Sequence, residues 1–247
     1  MAPATQVCAS TNGGQGGYGL QMAPALARTV AALSAPFAGG RIDGLALPLD
    51  ARWRDGRVTL NPGCANLRYQ RVAVAGAVLA PGSLTACPCG RAMVEVSPAG
   101  LGGGIRVIRP TFAGRIGASP LLLAAGDARV ELASRRFAFT DTRVRLGADR
   151  LTRLDIGALD GRFGDRIGGN FAGLGGQIGA VPLVISGAAG DWQVQDNGLS
   201  LGGKLRLTDA TTPARFHPLA SDDARLRLAG NAIVASAGLK SPTGVSV

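Results

Sequence analysis

Along most of its length the chain alternates apolar and polar residues in short runs, and no other feature constrains its fold as tightly. Leu45 and Leu47, Val58 and Leu60, Val72 and Val74, and Val94 and Val96 stand two residues apart. The same spacing returns at Val130 and Leu132, Val144 and Leu146, Leu205 and Leu207, and Leu226 and Leu228. Turn formers fence the runs, among them Asp55-Gly56, Pro62-Gly63, Pro81-Gly82, Asp160-Gly161 and Asn197-Gly198. A strand sends successive side chains to opposite faces, so this period predicts many strands of about four to eight residues, each with one apolar and one polar face. The polar face is often arginine, as in Arg143-Val144-Arg145-Leu146 and Arg225-Leu226-Arg227-Leu228. It reads either as an ordinary solvated surface or as one that touches anionic lipid.

One segment follows a different period. Leu26, Val30, Leu33 and Phe37 recur at spacings of three and four between good helix formers, bounded by Pro24 and Pro36. This predicts one short N-terminal helix. The polar, glycine-rich residues 1–20 read as a disordered stretch or linker rather than a signal peptide. No stretch approaches the roughly 18 apolar residues of a membrane-spanning helix, and the chain reads as a piece of something longer.

Composition limits how the apolar surface is arranged. Hydrophobic residues make up 46% of the chain, but aromatics supply only 4% and 38 residues are glycine. A closed globular core would use more large side chains, so the apolar area is expected to be spread thinly over a sheet, solenoid or groove. A repeat supports this: Gly114-Arg-Ile-Gly-Ala-Ser-Pro-Leu-Leu-Leu matches Gly176-Gln-Ile-Gly-Ala-Val-Pro-Leu-Val-Ile, with a looser copy beginning at Gly40. Repeats that cannot bury an apolar face alone stack into elongated bodies.

Catalytic chemistry finds little to work with. The single histidine, His217, lies between Phe216 and Pro218 in a loop-like stretch and has no cysteine near it. No nucleophile elbow, zinc-protease helix or phosphate loop is present. The clusters at Gly102 and Gly173 are not followed by the long helix a dinucleotide site requires. No cofactor is expected. The net charge of +10 attracts anionic surfaces, but the basic residues lack the aromatic platforms of a nucleic-acid binder. Cys87-Pro-Cys89 offers two metal ligands where a structural zinc takes four. The competing reading is a Cys64–Cys87 disulfide, worth about 3 kcal/mol and implying an oxidising compartment.

Several runs together carry a family resemblance: Asn61-Pro-Gly-Cys64, Leu84-Thr-Ala-Cys87-Pro88, the Gly114 segment, and the closing Asp223-Ala-Arg-Leu-Arg-Leu-Ala-Gly-Asn-Ala-Ile-Val. Over roughly residues 24–247 the chain resembles the YdbH family of AsmA-like proteins. The resemblance implies an elongated, curled antiparallel sheet whose apolar groove carries phospholipid acyl chains across the periplasm, with residues 21–247 forming one repeating β-groove segment. The sixteen alternating residues named above would line that groove, and Cys64 and Cys87 would be the family's cysteine pair. It also implies an inner-membrane anchor outside this chain and a small outer-membrane lipoprotein as partner. Two other architectures also alternate. A surface β-solenoid would do so in closed coils of about 20 residues, and a transmembrane β-barrel would show aromatic girdles.

Overall fold

The computed structural model describes residues 25–37, 40–74, 76–148, 151–164, 166–179, 181–195, 198–229 and 232–241. Residues 1–20, expected as a linker, lie outside them. The described residues are all-β: strands account for 74% of them, none is helical, and the strands form one large antiparallel sheet that curls in a ring.

The N-terminal helix expectation is overturned. Ala25–Phe37 is strand β1, running antiparallel to β2 (Gly40–Arg54) from Ala25 opposite Trp53 to Phe37 opposite Gly40. An isolated helix of this length is marginal in water. The hydrogen-bond ladder that β2 offers outweighs the local preference of these alanines and leucines.

After β3 (Arg57–Leu60), most of the short strands turn out to be halves of longer ones. β4 (Ala65–Tyr69) and β5 (Arg71–Val74) are separated only by Gln70, and β6 (Ala77–Leu79) and β7 (Gly82–Pro88) only by Ala80-Pro81. β8 (Val94–Ser97) and β9 (Gly100–Gly102) leave the main sheet as a side branch, β8 pairing with β3 and β9 with β8. β10 (Gly104–Ile108) and β11 (Thr111–Ile116) flank Arg109-Pro110, and β12 (Ser119–Ala124) and β13 (Asp127–Glu131) flank Ala125-Gly126. Beyond them the strands run unbroken: β14 (Arg136–Leu146), β15 (Thr152–Arg162), β16 (Ile167–Gln177) and β17 (Leu183–Gln195). β18 (Gly198–Asp209), β19 (Leu219–Ala229) and β20 (Ala232–Ser236) complete a meander in which each strand pairs with the next. Among the described residues no pairing joins β1 to β20, so these are the two edges.

The interruptions line up across the sheet. The Gly44 N–H donates to Ser34 Oγ at 2.9 Å, and the Gln70 N–H to the Asp43 carbonyl at 3.0 Å. Further along, Arg109 bonds the Gly126 carbonyl at 3.0 Å and Gly126 bonds that of Thr140 at 2.9 Å. By register Asp141 then lies opposite Gly157, and Gly157 opposite Gly173. Backbone φ is left-handed at Gly44, Arg109, Asp141, Gly173 and Gly187. Such a residue bends the strand and shifts its alternation by one position. Phe137 and Phe139 precede Asp141 on odd numbers, while Val144 and Leu146 follow it on even ones, yet all four stay half-buried and share a face. The bend line therefore divides the sheet into two arms that share one apolar face. The first arm holds β4, β7, β10, β13 and residues 136–140, and the second holds β5, β6, β11, β12 and residues 142–146.

The same line explains the repeat. Gly114 and Gly176 each precede a hairpin turn at the end of the second arm, one leading into β12 and the other into β17. The looser copy at Gly40 does not match them, because it lies within β2 and crosses the bend at Gly44 without a turn.

The side branch is fixed by Asn61, which is 4% exposed and has left-handed φ. Its Oδ1 accepts the Asp50 N–H at 2.7 Å, its N–H bonds the Asp50 carbonyl at 2.8 Å, and its carbonyl accepts from Met93 at 3.1 Å. Ala86, Ala92 and Met93 are buried around it. The sulfurs of Cys64 and Cys87 are bonded, closing a loop with a sequence separation of 23 at the base of the branch, a constraint worth about 3 kcal/mol.

Candidate functional site: the apolar face

Register places the alternating residues in continuous rows. On the second arm one row runs Ile42, Val72, Leu79, Gly114, Leu121, Leu146. The next runs Leu123, Val144, Leu154, Gly176, Ile185, Leu207. On the first arm Ala86, Val107, Ala128, Phe139, Leu159 and Phe171 form one row. Ile105, Val130, Phe137, Gly161, Gly169, Trp192, Leu201 and Leu226 form another. Cross-strand neighbours of this kind stabilise a sheet, each pair contributing about 0.2–1 kcal/mol.

The expected groove residues are distributed over these rows and the branch. Leu45 and Leu47 lie on β2 next to the bend, Val74 adjoins Val72, Leu205 adjoins Leu207, and Leu228 adjoins Leu226. Leu132 falls in the turn after β13, its N–H on the Gly103 carbonyl at 3.1 Å. Leu60 stands between Ala51 and Val94, and Val58 between Trp53 and Val96. Those four expected residues thus belong to the branch rather than the main sheet. Of the sixteen, Val96 is exposed, the Leu228 side chain lies outside the described residues, and the others are half-buried. None of the fifteen described ones is sealed in a core.

What the sequence reading missed are the aromatic side chains that span glycines on this face. Phe137 and Trp192 meet with ring centroids 5.8 Å apart. Between them lies Gly161, where a Cβ would sit 2.7 Å from Phe137 and 2.9 Å from Trp192. The Trp192 indole N–H donates to the Asp160 carbonyl at 3.1 Å, which fixes the ring over the sheet. Tyr69 likewise crosses Gly82 towards Phe112, with centroids 6.4 Å apart, and burial pushes its phenol pKa up. Two small clusters result, one around Tyr69, Leu79 and Leu121 and the other around Phe171, Leu174 and Ala188.

Among the described residues no three His, Cys, Asp or Glu side chains gather as metal ligands, none of the cysteines is free, and His217 is exposed away from any cluster. The strongest polar site is structural. Asp209 accepts from Arg215 Nε and N–H at 2.8 Å and from the Thr211 N–H at 3.0 Å. The Arg215 guanidinium holds the Asp209 carboxyl well below the usual carboxylate range, so the turn between β18 and β19 is clamped by a charged pair. Comparison of the chain with family models, curated proteins and solved structures finds no match.

Proposed function

We propose that the apolar face is a groove that shields the acyl chains of phospholipids, and that the chain is a segment of a non-enzymatic lipid carrier spanning the periplasm between inner and outer membranes. The observation that carries this reading is the half-buried state of the expected lining residues: long apolar rows over which the described residues place no second layer of helices or strands. Such a face needs a partner. Phe137 and Trp192 lean together across three strand spacings, roughly 14 Å, which supports a sheet curled towards its apolar side. Acyl chains suit that space, since burying each methylene contributes about 0.8 kcal/mol while the headgroup stays in water at the rim. Sliding along such rows needs no side-chain chemistry. The antiparallel meander fits this reading better than a solenoid, whose closed coils stack around a dry core.

The test is to purify the protein without harsh detergent and measure bound phospholipid by mass spectrometry, for the wild type and for Val144→Asp and Leu205→Asp. Stoichiometric lipid in the wild type and its loss in both variants, at unchanged circular dichroism, is expected. Folded variants that retain wild-type lipid would refute the groove.

A further inference from the structure

Directly opposed arginines on the outer face are met in two ways, with a carboxylate between them or without one. On the first arm Arg106 and Arg129 stand directly opposite each other on β10 and β13, and Asp127 lies between them, 2.6 Å from one Nε and 2.5 Å from the other. Like charges placed directly opposite destabilise a sheet, and this carboxylate removes the penalty. On the second arm Arg145 and Arg153 stand opposite each other on β14 and β15. Both are exposed, and neither has an ion-pair partner among the described residues. Arg143 and Arg115 extend the same face, where Asp155, opposite Arg143, is the single carboxylate on β11, β12 and the second-arm parts of β14, β15 and β16.

Apolar side chains stand among these arginines, facing outwards. Leu122 lies directly opposite Arg145 on the other side of β14 and is 46% exposed. Beyond Gln177, the neighbour of Arg153 on β16, the turn presents Ile178 and Val181, the latter 48% exposed. We infer that this outer surface of the second arm docks on the headgroup layer of an anionic phospholipid bilayer. Guanidinium groups bind phosphate oxygens bidentately, so lipid phosphates would do for Arg145 and Arg153 what Asp127 does for the first-arm pair. Leu122, Ile178 and Val181 would enter the boundary between headgroups and acyl chains. Apolar side chains in these positions favour a membrane over nucleic acid, which would call for aromatic stacking. The inference concerns the outer face and holds whatever the inner face carries.

Co-sedimentation separates the possibilities. The whole chain is mixed with vesicles of phosphatidylcholine alone or with about one-quarter phosphatidylglycerol, in low and in moderate salt. Binding to the anionic vesicles only is expected, weakened more than about tenfold by Arg145→Glu with Arg153→Glu, because each basic residue near such a surface contributes several-fold. Arg136→Glu with Arg162→Glu changes net charge equally on the first arm and is expected to retain binding. Leu122→Ser is expected to weaken it without altering its salt dependence. Equal losses from both arginine pairs would overturn the inference in favour of unspecific charge attraction. Tighter capture of a single-stranded oligonucleotide than of vesicles would overturn it in favour of nucleic acid.

Discussion

The two arms of the bent sheet carry matching apolar rows inside, but they are held and charged differently. The first arm has the disulfide, the Asn61 branch point and the Asp127-bridged arginines. The second has Arg145 and Arg153 without a carboxylate between them and, directly beside Arg145, outward-facing Leu122. A uniform inner face with a divided outer one separates two tasks: the first arm fixes the shape of the sheet, and the second meets what lies outside it.

The largest expected effect concerns two glycines of one strand, one on each arm. A Cβ at Gly169, on the first arm, would run into the Asp160 carbonyl and Gly161 backbone, whereas one at Gly175, on the second, would meet the Ile185 carbonyl at 3.3 Å. Gly169→Ala is expected to cost about 3 kcal/mol or more and Gly175→Ala less than about 1, read from urea midpoints. Comparable losses would show that backbone clearance does not decide which glycines of the strand are replaceable. Next in size is Cys64→Ser with Cys87→Ser, expected to cost about 3 kcal/mol. Hydrogen exchange should quicken in β4 and β7 before β11 and β12, and uniform quickening would mean that the disulfide serves both arms alike.

A smaller effect is expected at the boundary. Asp141 holds φ 51, a region where a side chain costs roughly 1 kcal/mol. Asp141→Gly should leave stability level or raise it slightly, while Asp141→Val should lower it by about 1–2 kcal/mol. If both behave alike, the left-handed bend is not what joins the arms.

The smallest effect concerns the charged clamp at the rim of the second arm. Because Arg215 depresses the Asp209 pKa in the folded protein, the clamp's contribution is fully present above the ordinary aspartate value near 4. It is lost only as pH falls through the lower folded value. Hydrogen exchange across residues 210–218 should therefore be unchanged, after correction for intrinsic rates, from pH 7 to about 5. Arg215→Ala should speed it throughout that window, and indifference to the substitution would show that the turn holds its shape without the ion pair.

The alternation of Val144, Leu146, Leu205 and Leu207 made the strands and their apolar face legible, since a period of two has one structural meaning. Strand length was less legible, because a left-handed residue such as Asp141 breaks the period without ending the strand. The recurrence of Asp141, Gly157 and Gly173 every sixteen residues was present as a signal, although it becomes a line only once partners are known. The Leu26 to Phe37 segment misled for a different reason: its helical spacing is local, while its partner β2 is tertiary. Arg106 and Arg145 look alike in sequence, and only register shows that one pair has a carboxylate and the other does not.

Arg109, Asp141 and Gly173 follow one another at intervals of 32 residues, the length of one hairpin. A hairpin is thus an interchangeable module with its own hinge, and profile and length become separate variables. Gain or loss of whole 32-residue units would lengthen or shorten the body while leaving its cross-section untouched, whereas a single-residue insertion would put every later side chain of that strand on the wrong side. Length is then set by the number of hairpins, and profile by the hinge within each.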